Sequence, residues 1–66
     1  MFVVRRSTDK KFLAIKGEKH FFIKDLLKAA IFKSYFQASN IAVKGSNWWY
    51  ITPVSELLEK NMIKNL

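Results

Sequence analysis

Few side chains in this sequence are of the types that carry out catalysis, and they do not cluster. The single histidine, His20, stands beside Phe21 and Phe22 at a turn, where an imidazole is more often structural than catalytic. The five carboxylates are predicted on turns or exposed helical faces: Asp9, Glu18, Asp25, Glu56 and Glu59. Gly17 and Gly45 are isolated, so there is no glycine-rich phosphate loop. We expect a protein that is not an enzyme and has no cofactor.

Metal and disulfide chemistry have as little support. The chain has no cysteine, which excludes disulfides and thiolate ligands, and one histidine does not suffice for a structural zinc site. The length of 66 residues indicates one domain. A domain of this size buries only about 60% of the surface that its unfolded chain exposes, so its stability depends on packing or association.

Positive charge is the strongest compositional signal. Twelve Lys and Arg against five Asp and Glu give a formal net charge of +7, which attracts nucleic acids, anionic membranes or acidic proteins. The alternative is compositional bias, because ten of the twelve cations are Lys, and Ile, Phe and Asn are also frequent. An AT-rich genome produces that mixture without selection for a ligand.

The cations suggest a nucleic-acid-binding surface. Five surround a predicted β-hairpin, namely Arg5, Arg6, Lys10, Lys11 and Lys16, and Lys33 and Lys44 flank a predicted helix. A twisted β-ribbon can enter a major groove. The alternative is that the lysines form a solvated rim.

Trp48 and Tyr50 have two interpretations. They alternate with Trp49 and Ile51 in a predicted strand, so they face away from the core side of that strand. They could stack on unpaired bases. We favour burial beneath the C-terminal helix, because amphipathic helices usually cover apolar strand faces.

The elements that position these residues begin with a hairpin over 1–16. Phe2–Arg6 and Lys11–Lys16 are strand-like runs around a four-residue polar loop, and a turn at Gly17–Lys19 ends the second run. Both strand faces are apolar, so both need a cover.

Residues 29–53 are predicted as a strand–helix–strand unit. Ser34 and Gln37 form a capping box that starts a helix over 35–44, and Gly45 is placed as its left-handed terminator. Upstream, 21–33 carries a helical stripe that conflicts with this break. One helix there is the alternative; we predict a helical turn at about 23–28 and a strand at 29–33.

The C-terminal segment 54–65 reads as an amphipathic helix after Thr52 and Pro53. Its apolar stripe consists of Val54, Leu57, Leu58 and Met62. This stripe either completes the core, covering Trp48 and Tyr50, or pairs with a second copy in a homodimer.

No segment is long and apolar enough to span a membrane, and the N-terminus lacks the apolar region of a signal peptide. We expect a cytoplasmic protein.

Several motifs carry a resemblance over most of the chain. The run 25–34 matches the pattern D-L-x-x-A-x-I-F-K-S with one residue of slack, and 51–54 matches I-x-P-V. Four further features fit the same pattern: a first strand that ends in basic residues, the run Lys11-Phe12-Leu13, the pair Phe21-Phe22, and Ala38 in the helix. The chain resembles very small proteins encoded by phages and prophages of low-GC bacteria. The resemblance implies binding to a host or defence protein, or to nucleic acid.

A weaker resemblance involves Phe32-Lys33-Ser34 with Ala38. This junction is similar to the arm-binding domain of tyrosine integrases, where a three-stranded sheet that reads DNA leads through F-K-T-K-x-E-A into one helix. The chain departs from that pattern at Gln37, where the family has an acidic residue, and in the strand after the helix.

Together these features predict an α+β domain. A small, mainly antiparallel sheet, β-β-(α)-β-α-β, packs on one central helix, and a C-terminal amphipathic helix follows. The predicted function is non-enzymatic binding of nucleic acid through the basic hairpin. The alternative is an inhibitor or adaptor that targets an acidic host or defence protein.

Overall fold

The computed structural model describes residues 1–59 and shows a four-stranded antiparallel sheet with helices on both faces. The strands are β1 (Phe2–Arg6), β2 (Phe12–Lys16), β3 (Lys19–Ile23) and β4 (Trp49–Pro53), in the order β3-β2-β1-β4. The helices are α1 (Tyr35–Ala42) and α2 (Val54–Glu59), and 3-10 turns span Leu26–Lys28 and Val43–Gly45. The predicted α+β class is confirmed. No helix among the described residues is long and apolar enough to cross a membrane.

Strand alternation divides the apolar side chains between two clusters, one on each face of the sheet. The first cluster contains Val3, Phe12, Leu26 and Leu57, so the first 3-10 turn and α2 cover this face. The second contains Val4, Leu13, Ala38 and Ala42, so α1 covers the opposite face. The prediction that both faces need a cover is therefore confirmed.

The first hairpin forms as predicted, with β1 and β2 at its two arms. Phe12 and Ala14 lie on the face opposite to Leu13, as alternation requires, and all three are buried. β1 pairs on its other side with β4 along five residues, from Phe2–Pro53 to Arg6–Trp49. The hairpin therefore supplies the two central strands of the sheet.

The third strand is not where the sequence analysis places it. Lys19–Ile23 forms β3 and pairs with β2 across the two-residue loop Gly17–Glu18. Gly17 has a positive φ of 61°, which suits the first central position of a type II′ turn. The helical turn predicted at about 23–28 is a 3-10 turn at Leu26–Lys28. Asp25 caps it, because its carboxylate accepts a hydrogen bond from the Leu27 N–H.

The predicted strand at 29–33 is wrong: Ala29 has extended backbone and Phe32 forms an isolated bridge to Phe2, but the segment is not a strand of the sheet. The recorded pairing of β1 with β2 is the single pair Arg5–Phe12. Beyond that pair, the segment 30–32 forms backbone hydrogen bonds with both strands. The Ala30 N–H donates to the Leu13 carbonyl at 2.9 Å, and Phe32 exchanges two backbone hydrogen bonds of 2.8 Å with Phe2. This segment carries the chain from the first cluster to the second.

Helix α1 begins as predicted. The Gln37 N–H donates to the Ser34 hydroxyl at 3.2 Å, which satisfies one of the unpaired amides of the first turn. The Gln37 side chain accepts from the Lys33 N–H, one residue before its partner in a standard capping box.

The predicted role of Gly45 as a left-handed terminator is wrong. It has no positive φ; Ser46, the next residue, takes φ 56°. A Cβ atom at position 45 would overlap the indole ring of Trp49. Glycine is required there by the close approach of that ring.

The C-terminal helix starts at Val54, after Pro53, as predicted. Leu57 is 1% exposed and belongs to the first cluster, against which Val54 also packs. Leu58 is 43% exposed. Met62 and the predicted helical residues beyond Glu59 lie outside the described part of the chain.

Candidate nucleic-acid interface

Several of the predicted binding residues meet at one end of the sheet, here called the hairpin end. It consists of the loop Ser7–Lys10, the last residues of β3 and the first residues of β4. The Ser7 N–H donates to the Trp48 carbonyl at 2.6 Å, which fixes the start of β4 beside the loop. The Phe12–Ile23 pair sets Lys11, just before β2, close to Lys24, just after β3.

Arg6 is committed to the hairpin loop. Its guanidinium donates to both carboxylate oxygens of Asp9, at 3.2 and 2.5 Å, and lies 4.4 Å from the ring centroid of Phe22. The bidentate hydrogen bonds with Arg6, together with a hydrogen bond from the Lys11 N–H, lower the pKa of Asp9 to about 2. The same pairing raises the pKa of Arg6.

Arg5 lies on the opposite face and is also committed. Its Nε and Nη2 donate to the Lys10 carbonyl at 3.2 and 2.9 Å. Its guanidinium carbon lies 4.8 Å from the ring centroid of Phe12 and 5.7 Å from that of Tyr50. Such stacking favours a guanidinium without neutralising it. Arg5 therefore positions the loop while keeping its charge at this end.

The side chains free to meet a ligand at the hairpin end are lysines and one tryptophan. Lys10 and Lys24 are exposed, and Lys11 is half-buried. Lys44 is exposed one residue before Gly45, whose carbonyl accepts a hydrogen bond from the Trp48 N–H. Lys24 was missed by the sequence analysis, because its proximity depends on β3, which the pattern of 21–33 hid.

The preferred prediction for the two aromatics, burial beneath the C-terminal helix, is wrong for Trp48. Trp48 is 62% exposed at the start of β4. Tyr50 is half-buried, with Arg5 near its ring. Trp49 and Ile51 pack in the second cluster, as predicted.

Two predicted binding residues lie away from the hairpin end. Lys16 ends β2 and pairs with Lys19 across the Gly17–Glu18 turn, at the opposite end of the sheet. Lys33 follows Phe32, which bridges to Phe2 at the same far end of β1. The predicted cation set is thus divided between the two ends.

The arrangement does not suit a β-ribbon lying in a major groove. β1 and β2 are the central strands, and helices or turns cover both of their faces. The hairpin end, with its exposed loop Ser7–Lys10, lies beyond the covered strands.

The stripe proposed for self-association is partly used inside the molecule. Leu57 is buried and Val54 packs against the same cluster, whereas Leu58 stays largely exposed. The core role is therefore confirmed for Leu57.

Among residues 1–59, no group of three or more metal-ligating side chains comes together. Comparison with known proteins found no matching family model, no matching curated protein and no matching solved structure. The function is therefore inferred from the residues and geometry of the chain.

Proposed function

We propose that this is a non-enzymatic nucleic-acid-binding protein of phage or mobile-element type that acts in the bacterial cytoplasm. Its preferred ligand is a single strand with unpaired bases, bound at the hairpin end. The observation that carries the proposal is the exposed indole of Trp48 beside the lysines of that end. Single-strand binders combine cations that track the backbone with aromatic rings on which bases stack.

The charge balance at the hairpin end supports an anionic ligand. Asp9 is already paired with Arg6, so its charge is largely matched within that ion pair, although Lys11 also attracts it. Arg5 binds a backbone carbonyl and aromatic rings, neither of which carries a negative charge. Asp25, which follows Lys24 and accepts a hydrogen bond from the Leu27 N–H, is the other carboxylate near this end. Lys10, Lys11 and Lys24 outnumber it, which leaves a local excess of positive charge.

Paired lysine variants test this assignment. Lys10→Gln/Lys11→Gln/Lys24→Gln removes three charges from the hairpin end, and Lys16→Gln/Lys19→Gln/Lys33→Gln removes three from the far end. Binding of a labelled 15-nucleotide single strand is measured by fluorescence anisotropy at about 50 and 200 mM salt, a range in which phosphate contacts change affinity strongly. The first variant should reduce the slope of log K against log salt by about 2, because each single-strand phosphate contact contributes about 0.7. The second should keep most of the slope.

Equal effects of the two triple variants would contradict a localised interface and favour non-specific attraction to the net charge. The arginines are unsuitable for this test, because Arg5 and Arg6 hold the loop. Their replacement would change the fold and the charge together.

Trp48→Ala tests the stacking contact separately. Loss of one stacked base costs about 1–3 kcal/mol, so affinity for the single strand should fall about 5- to 150-fold without a change in salt slope. Phe36→Ala is the matched control, because Phe36 is 73% exposed on α1, away from the hairpin end. If Trp48→Ala binds like the wild type, Trp48 is not a stacking platform.

The alternative is an inhibitor or adaptor that targets an acidic host or defence protein. The exposed apolar side chains of Phe36 and Val43 on the helical layer support it. If neither the single strand nor its duplex binds even at about 50 mM salt, where phosphate contacts are strongest, the nucleic-acid proposal fails and this alternative takes its place.

A further inference from the structure

Strand β4 forms an edge of the sheet with backbone groups that face outward. Within the described part of the chain it pairs only with β1. The Ser7 N–H bonds to the Trp48 carbonyl, so the even-numbered residues of β4 turn their backbone groups toward β1. The N–H and carbonyl groups of Trp49 and Ile51 therefore point away from the sheet. Pro53, the next outward position, has no N–H and ends this run of donors.

A groove of about 460 Å³ runs beside this edge, between β4 and the helical layer. Its helical side is lined by Tyr35, Ser39 and Val43, and its strand side by Trp49, Tyr50 and Ile51. The groove combines apolar surface with hydroxyl groups, and none of its lining residues is acidic. Its helical wall lies between two exposed lysines, Lys33 before α1 and Lys44 after it.

We infer that β4 and this groove bind an extended acidic peptide segment of another protein, which adds to the sheet as a fifth strand. Exposed sheet edges take up extended peptides through main-chain hydrogen bonds, while neighbouring pockets accept alternate side chains. Here Trp49 and Ile51 offer the donors and acceptors, and the groove accepts apolar side chains. Carboxylates of the peptide would be attracted by Lys33, Lys44 and the net charge of +7.

The outward groups of the edge favour a peptide over nucleic acid in this groove. Two consecutive outward residues of a strand present N–H and carbonyl groups at the spacing of a β-ladder, and only another extended peptide matches both. A second copy of this chain is a less suitable occupant, because it carries the same net charge of +7. The inference does not rest on nucleic-acid binding at the hairpin end, although Lys44 borders both sites, and it names a partner class for the protein-directed alternative.

The test uses the full chain and a panel of heptapeptides, Glu-X-Glu-X-Glu-X-Glu, in which X is Val, Leu, Phe or Tyr. Binding is followed by amide chemical-shift changes in ¹⁵N-labelled protein up to about 1 mM peptide, the upper end of weak specific affinities. At least one peptide should shift the Trp49 and Ile51 amides more than those of Tyr50 and Thr52. N-methylation of the alternate peptide amides that face β4 should abolish binding. N-methylation of the amides on the opposite edge of the peptide should preserve it.

A matched pair of variants locates the site on the protein. Val43→Glu puts a carboxylate in the groove and should weaken binding of the acidic peptide at least tenfold. Phe36→Glu makes the same change of charge at an equally exposed position outside the groove and should change binding less than twofold; Phe36 is 73% exposed and Val43 71%.

Three outcomes would overturn the inference. They are no binding by any panel peptide at 1 mM, equal effects of the two variants, or displacement of the peptide by the 15-nucleotide single strand from Lys10→Gln/Lys11→Gln/Lys24→Gln, which would place nucleic acid in the groove. Lys10→Gln/Lys11→Gln/Lys24→Gln should bind the peptide less than twofold more weakly than the wild type. This variant therefore distinguishes loss of nucleic-acid binding at the hairpin end from loss of peptide binding in the groove.

Discussion

The carboxylate of Asp9 connects the two arms of the hairpin end. It accepts both guanidinium hydrogen bonds from Arg6 on β1 and one, at 3.1 Å, from the N–H of Lys11, the residue before β2. Charge-assisted bidentate pairs fix geometry as well as contributing energy. Each of these contacts favours the ionised carboxylate, so loop stability depends on the charge of Asp9.

Asp9→Asn should change the acid sensitivity of the protein. Because the pKa of Asp9 is lowered from 3.8 to about 2, its ionised form stabilises the fold above about pH 4. This contribution is lost as the pH falls from about 4 through 2. The wild type should therefore have the higher thermal midpoint at pH 7, and the gap to Asp9→Asn should close by about pH 2. A gap that is constant with pH would contradict the ion pair.

Gly45→Ala tests the close approach of Trp49. Alanine normally stabilises helical backbone relative to glycine, but here its Cβ would overlap the indole ring. We expect a destabilisation of about 1–3 kcal/mol, as for overpacking elsewhere, measured by urea denaturation. In a Trp49→Ala background the same substitution should no longer destabilise the protein. A stabilising effect in the wild-type background would show that the ring does not occupy this space.

At the scale of elements, the β1–β2 loop contains a backbone conformation that its residue disfavours. Lys10 has φ 60°, a left-handed conformation that costs an L-residue about 1–2 kcal/mol. The loop retains it because the Lys10 N–H donates to the Arg6 carbonyl at 2.7 Å, and the Lys10 carbonyl accepts from Arg5. The side chain of Lys10 makes none of these bonds.

Lys10→Gly should therefore leave the hairpin intact while removing a cation. Relief of the left-handed conformation offsets the entropy cost of glycine, about 0.5–1 kcal/mol, so stability should stay unchanged or rise by up to about 1 kcal/mol. Thr8→Gly is the matched control in the same loop, because Thr8 has no positive φ, and it should destabilise. Urea denaturation compares the two, and equal destabilisation by both would contradict the strain at Lys10.

Local sequence signals predicted the elements that depend on their own residues. The first hairpin, the Ser34 cap of α1 and the start of α2 follow from turn, capping and proline preferences. β3 was missed because Ile23, Leu26 and Leu27 fit a helical stripe. Pairing of Lys19–Ile23 with β2 overrides that pattern. The two-residue Gly17–Glu18 turn before aromatic residues was the signal that could have identified this strand.

The candidate site was predictable in composition but not in geometry. Residue type identifies Arg5, Arg6 and the lysines as cations, but their roles depend on neighbours from other elements. Arg6 is paired within its own loop, and Lys16 lies at the far end of the sheet. The exposure of Trp48 depends on where α2 packs, which its apolar stripe alone does not determine.

At the scale of the whole molecule, the protein builds two small cores instead of one large core. The strands of the sheet are only five residues long, and each face of the sheet has its own cluster. Each cluster depends on few large side chains. The first has four buried members, of which Leu57 comes from α2. A domain with this little buried surface is sensitive to loss of any one of them.

Leu57→Ala and Leu58→Ala should differ sharply. Leu57 is 1% exposed, so its truncation should cost about 2–5 kcal/mol, whereas Leu58 is 43% exposed and should cost less than about 1 kcal/mol. Thermal unfolding followed by circular dichroism measures both. Similar costs would show that α2 does not pack through Leu57. A midpoint that depends on protein concentration in the wild type but not in Leu58→Ala would indicate that Leu58 contributes to association.

The passage of residues 30–32 between the central strands has a consequence for cooperativity. Ala29 packs in the first cluster and Phe32 in the second, and the segment that joins them is hydrogen bonded to β2 through Ala30 and to β1 through Phe32. Neither core can open widely without breaking bonds that anchor the other. The two cores should therefore unfold together, and the amides of Ala30 and Phe32 should exchange with solvent only through global unfolding.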